Sequence, residues 1–179
     1  MLVVGGSRGA QAINDAMVAM APAAARSRAV HYVFVTGESY YERTSAAIKE
    51  AAPGITNHLH VLPYLHNMPE VLAASTLVVG RAGASSLAEL TALGLPSILI
   101  PSPNVTNNHQ EANARNLADA GAAELMLERE LSGDGLWSRI EAILQDSAGL
   151  QRMKEASRKL GMPGSASILT AELRRLAKK

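Results

Sequence analysis

Cysteine is absent from the 179 residues, and with it go disulfides, thiolate nucleophiles and Cys-based zinc sites. The absence fits a reducing compartment. Aromatic side chains are nearly as scarce, at 3%: one Phe, one Trp and four Tyr. The core is therefore aliphatic and alanine-rich, without the base-stacking platforms of single-stranded nucleic-acid binders. Seventeen Lys and Arg against sixteen Asp and Glu leave a net charge of +1 at pH 7, too small for a general nucleic-acid binder. No apolar run approaches the roughly 18 residues of a membrane span, and the first residues lack a signal-peptide pattern.

What is present suits one globular domain. Hydrophobic residues make up 47% and charged residues 18%, which excludes a disordered tail. A chain of this length buries roughly 70% of its unfolded surface, enough for a self-sufficient core. The charge is uneven: from Arg152 onward there are eight basic and two acidic residues. Such a stretch is either the solvated face of a terminal helix or a surface for an anionic membrane or partner. Met1 leads straight into Leu2-Val3-Val4-Gly5-Gly6, as in a chain cut from a longer one or in half of a two-part machine.

Short aliphatic runs alternate with helical patterns. Strands are expected at Leu2–Gly6, Tyr32–Thr36, Leu59–Pro63, Leu77–Gly80, Ser97–Pro101 and Ala123–Leu127. Helices are expected near Ala10–Ala25, Tyr40–Ala51, Met68–Ala74, Ser86–Leu93 and Gln110–Ala120, then at Leu136–Gln145, Gly149–Leu160 and Ala166–Lys178. Continuous apolar strands separated by helices give an α/β fold, a Rossmann-like doubly wound parallel sheet of about six strands. In strand order 3-2-1-4-5-6 the first and fourth strands are neighbours at the switch point, where such folds bind ligands.

Both of those strands run into glycine turns. Gly5-Gly6-Ser7-Arg8-Gly9-Ala10 follows the first, and Gly80-Arg81-Ala82-Gly83-Ala84-Ser85 the fourth. Strand, Gly-x-x-Gly and helix together bring backbone N–H groups and a positive helix end to a phosphate. The spacing is not the dinucleotide G-x-G-x-x-G, which weakens a nicotinamide or flavin reading. Ser86 and Glu89 have the S-x-x-E spacing of a capping box; the same Glu89, one turn into the helix, could instead hold a ribose diol. Asn107-Asn108-His109-Gln110 opens the helix after the fifth strand with neutral donors and acceptors suited to a sugar. His58 and His60 alternate on one strand without a third ligand, which disfavours a metal site, and there is no D-x-D for a nucleotide-bound cation. Nothing makes a complete acid–base apparatus: the chain grips a ligand without a base.

These motifs, with Asn14, Gly94-Leu95-Pro96 and Asn113-Ala114, closely resemble the carboxyl-terminal half of the MurG family, bacterial GT-B N-acetylglucosaminyltransferases that convert lipid I to lipid II in peptidoglycan synthesis. The resemblance spans essentially the whole chain. It implies a single donor-binding domain over residues 1–179, with UDP-N-acetylglucosamine as ligand and neither metal nor cofactor. Ser7 would touch the diphosphate, Leu65 would read uracil through its backbone, and Ala84, Ser85, Ser86, Leu87, Ala88 and Glu89 would hold phosphate and ribose. His109 and Gln110 fall on the sugar-reading position, while Gly5, Gly6, Arg8, Gly9, Arg81, Gly83 and Asn14 support the loops. Arg8 stands where Gln is usual, Ser86 where Thr is common and Leu65 where Ile is frequent.

The base and the lipid-linked acceptor would belong to an absent amino-terminal domain, towards which residues 163–179 would pack as a terminal helix. The resemblance also implies a cytoplasmic protein, peripheral at the inner face of the plasma membrane when complete, with no nucleic-acid partner. Two alternatives stay open: a stand-alone donor-binding subunit of a two-chain lipid-linked GlcNAc transferase, and part of a UDP-sugar epimerase.

Overall fold

The six strands are Leu2–Val4 (β1), Tyr32–Val35 (β2), Leu59–Leu62 (β3), Val78–Gly80 (β4), Ser97–Leu99 (β5) and Ala123–Leu125 (β6). The helices are Gln11–Arg26 (α1), Tyr41–Ala51 (α2), Met68–Ala73 (α3), Ala84–Leu93 (α4), His109–Asp119 (α5), Gly133–Gln145 (α6), Ser147–Leu160 (α7) and Ser165–Leu176 (α8). This computed structural model describes residues 1–27 and 30–177. Every expected strand and helix forms, although Lys178, the expected end of the last helix, lies outside the described residues.

All strand pairs are parallel, in the order β3-β2-β1-β4-β5-β6. The chain lays down β1 to β3 in one direction, then returns to put β4 beside β1, with Val4 opposite Gly80. That reversal is the switch point expected from the sequence.

Alternating residues supply two cores, because successive side chains on a strand point to opposite faces. Val3, Phe34, Val79 and Ile98 pack on one face with Ile13, Met17 and Met20 of α1, Ile48 of α2 and Leu136 and Ile140 of α6. Leu2, Val35, Val78 and Leu99 pack on the other with Leu72 of α3, Leu87 and Leu90 of α4 and Leu117 of α5. With helices on both faces, every strand is sheltered.

Several ends differ from the sequence reading. α6 and α7 start two to three residues early because Ser132 and Asp146 cap them, accepting from the N–H groups of Gly135 and Gly149 at 3.1 and 2.8 Å. His58 belongs to the turn before β3 rather than to the strand, so it does not share a strand face with His60. α8 stands apart from both cores: none of its residues is buried, and Ile168, Leu169, Leu173 and Leu176 are all more than half exposed.

Candidate functional site

Two turns leave the carboxyl edge of the sheet side by side. In the first, Gly6 and Gly9 take φ values of +91° and +75°, a region costly for any residue with a Cβ. Gly9 is pressed against β2 as well: a Cβ there would lie 2.0 Å from the Thr36 carbonyl oxygen. Gly6 instead opens onto free space, with nothing within 4 Å of such a Cβ. Asn14, buried in α1, holds the arrangement from below by donating Nδ2–H to the same Thr36 oxygen at 3.0 Å. Thr36 in turn donates its hydroxyl to Leu62 at 3.2 Å. The ends of β2 and β3 and the first glycine turn are thus tied together.

The second turn corrects the capping reading. α4 starts at Ala84, with Gly83 flanking it and no side chain capping the helix. Ser86 is the third helical residue, so Ser86 and Glu89 do not form a capping box. α1 is likewise uncapped by any side chain, and neither helix carries an acidic residue in its first turn. Two helix ends with free N–H groups therefore face the same edge, and that geometry attracts an anion.

Between the turns lies a cavity of about 360 Å³. Its floor is Val4, Val35, Val78 and Gly80, at the ends of β1, β2 and β4. Gly6 and Ser7 form one wall; Arg81, Ser85, Ser86, Glu89 and Leu90 form another; Tyr64, Leu65, Met68 and Leu72 close the apolar end. Glu89 is exposed and makes no hydrogen bond or ion pair among the described residues. Arg81 is engaged instead: its guanidinium pairs with Glu128 and donates to the Ile100 and Pro101 carbonyls, each at 3.1 Å.

The remaining candidates are distributed around this cavity. Within the run 84–89, helical geometry sends residues 85, 86 and 89 towards it. Leu87 turns into the core, and Ala84 and Ala88 are exposed outside the lining. Arg8 and Gly9 border an adjoining cavity of about 570 Å³ with Glu38, Ser39 and Tyr40; Ser7 and Tyr64 are shared between the two. Gly5 and Gly83 shape the turns without lining either cavity.

His109 and Gln110 stand at the start of α5, outside the first cavity. Gln110 Oε1 accepts the Ser102 N–H at 3.0 Å. His109 places Nδ1 2.8 Å from the Thr106 carbonyl oxygen, so the ring carries its proton there when neutral. Tyr64, beside Leu65, is among the lining residues to which sequence reasoning gave no role. It is 45% exposed, with its ring edge-on to His66 at a centroid distance of 4.9 Å. An aromatic after a proline, in a chain with so few aromatics, was the available signal.

Residues 1–168 match the family model described as the glycosyltransferase family 28 C-terminal domain. A curated relative from Bacillus anthracis is 49% identical over 179 residues, all of this chain and 48% of the relative. It is named UDP-N-acetylglucosamine--N-acetylmuramyl-(pentapeptide) pyrophosphoryl-undecaprenol N-acetylglucosamine transferase 1. This chain thus spans about half the length of such relatives. The crystal structure of Acinetobacter baumannii MurG superposes with a TM-score of 0.80 at 27% identity, over 97% of this chain and 49% of that one. The UDP-GlcNAc 2-epimerase from Neisseria meningitidis bound to UDP-GlcNAc reaches a TM-score of 0.66 at 12% identity, over 97% and 43%; that likeness concerns the fold alone.

Proposed function

Since this chain belongs to the glycosyltransferase family 28 C-terminal domain family, we propose that it binds UDP-N-acetylglucosamine as the donor half of an inverting N-acetylglucosaminyltransferase that makes lipid II in peptidoglycan synthesis. The observation that carries the reading is the shared cavity: Ser7 of the first turn and Ser85, Ser86 and Glu89 of the second line one space of about 360 Å³. Its size suits a small ligand, with the uncapped start of α4 at the rim and an apolar end of Leu65, Met68 and Leu72.

In this proposal uracil lies against the Tyr64–Leu65 backbone, and the ribose hydroxyls donate to the Glu89 carboxylate. The diphosphate accepts from Ser7, Ser85, Ser86 and the N–H groups of α4. The hexose extends towards His109 and Gln110. An acceptor hydroxyl, deprotonated by a base outside this chain, attacks the anomeric carbon as the bond to the UDP oxygen breaks. Negative charge then develops on the departing diphosphate, where fixed N–H donors and the α4 dipole stabilise it without reorganising. This domain contributes positioning and leaving-group stabilisation. The reading assigns no metal and no cofactor.

The partners follow from the same reading. A second domain, absent here, would hold the lipid-linked acceptor and the base, and the apolar side of α8 would pack towards it. No helix among the described residues is long and apolar enough to cross a membrane; on this reading the complete protein would work peripherally at the inner membrane face, where a lipid-linked acceptor lies. The 49% identity to a transferase, against 12% to an epimerase, favours transfer over epimerisation. Calorimetric titration with UDP-N-acetylglucosamine tests the proposal. Saturable heat is expected, whereas a folded chain giving none at millimolar ligand refutes it.

A further inference from the structure

The turn after β4 and the loop after β5 are fastened to each other by polar side chains running both ways. From the first, Arg81 donates to the Ile100 and Pro101 carbonyls at 3.1 Å each. Its charge is met by Glu128, and both side chains are largely buried, at 14% and 24% exposure. From the second, Asn113 on α5 donates Nδ2–H to the Ala82 carbonyl at 3.1 Å. The loop between these ties turns sharply, with Asn107 and Asn108 at φ values of +55° and +49°. Gln110, at the end of that loop, spends its Oε1 on the Ser102 N–H at 3.0 Å. Its amide N–H groups make no hydrogen bond among the described residues, so they are the end of the side chain left to read a ligand. Their position relative to Ser85 and Glu89 is inherited from the Arg81, Glu128 and Asn113 ties.

We propose that Glu128 and Asn113, acting through Arg81 and the Ala82 carbonyl, are positioning residues that set selectivity for the hexose of the donor while contributing little to affinity for its nucleotide. This rests on the donor-binding reading above. The nucleotide part of the cavity keeps its own supports, Asn14 and Thr36 on one side and the α4 helix on the other. The hexose end depends on where a separate loop is held. A shift of about 1 Å in such a group is enough to cost a hydrogen bond's worth of affinity or more.

The test compares Asn113→Ala and Glu128→Gln with the unsubstituted 179-residue chain, since neither residue lines the cavity. Dissociation constants for UDP and for UDP-N-acetylglucosamine are measured by calorimetry, and folding is checked by thermal melts. UDP affinity is expected to hold within about threefold while UDP-N-acetylglucosamine weakens about tenfold, the size of one lost hydrogen bond. A fall in the ratio of the two affinities is something general loosening of the fold does not produce. Parallel weakening of both ligands in folded variants, or no change in either, overturns the proposal. Asn113 is only partly buried on a helix that tolerates alanine, so it decides the matter even if Glu128→Gln unfolds. An unsubstituted chain that binds neither ligand refutes the donor-binding reading itself, which is a different outcome.

Discussion

Replacing Glu89 by alanine separates a binding role from a structural one, because among the described residues this carboxylate has nothing to hold. It is exposed, one turn into α4, unpaired among the described residues and not part of a cap. Alanine is the better helix former by a few tenths of a kcal/mol, so stability should change by less than about 0.5 kcal/mol. A carboxylate accepting hydrogen bonds from a ribose diol is a charged acceptor, worth about 1.5–3 kcal/mol. At about 1.4 kcal/mol per decade, its loss weakens UDP roughly 10- to 150-fold. Calorimetric titration of UDP into both proteins, beside urea melts, reads both quantities. UDP affinity within threefold of the unsubstituted protein would refute the ribose assignment. A stability loss near 1 kcal/mol would show that the residue caps the helix after all.

Three further outcomes are expected. Gly9→Ala should cost more than about 3 kcal/mol, read as a lower urea midpoint, because a positive φ and a Cβ 2.0 Å from the Thr36 oxygen act together; a neutral result would mean that the first turn is free to rearrange. Tyr32→Phe should leave stability at pH 7 unchanged or raise it by up to about 1 kcal/mol, since the buried hydroxyl has no partner among the described residues. Burial, then the Glu141 carboxylate, pushes the Tyr32 phenol above its ordinary value of 10.0. Its contribution is therefore complete below pH 10 and lost as the pH rises further, because the unfolded chain ionises first. Melts above pH 10 should accordingly be flatter for the variant. Deleting residues 164–179 should leave the melting temperature almost unchanged, because α8 buries nothing; a drop of several degrees would show α8 bound to the core.

The alternation of aliphatic runs with helical periodicity was enough to place all six strands and eight helices, since both periods are local properties of the chain. Given the strand order typical of such alternation, the two glycine turns were expected as neighbours, and Val4 does lie opposite Gly80. Glycine at residues 6 and 9 was legible for the same reason: a sharp exit from a strand needs backbone freedom that neighbouring residues alone dictate.

Not every helix start was legible: α3 begins at Met68 as expected, but α4, α6 and α7 begin two to three residues early, because capping depends on where the preceding loop lies. S-x-x-E at Ser86 and Glu89 matched a cap that the structure does not use. Arg81 was expected to support its loop, but its partners Glu128, Ile100 and Pro101, and the tie from Asn113 to Ala82, were out of reach. Arg81 and Glu128 are far apart in sequence, and only the folded sheet brings their loops within hydrogen-bond range of each other. Which residues of the 84–89 run face the cavity was decided by the rotation of α4 against the sheet, which buries Leu87 and turns Glu89 outward. Sequence determined the elements and the edge where the site forms; tertiary structure decided which side chains meet there, because hydrogen bonds and packing across loops depend on distance in space, which local pattern does not encode.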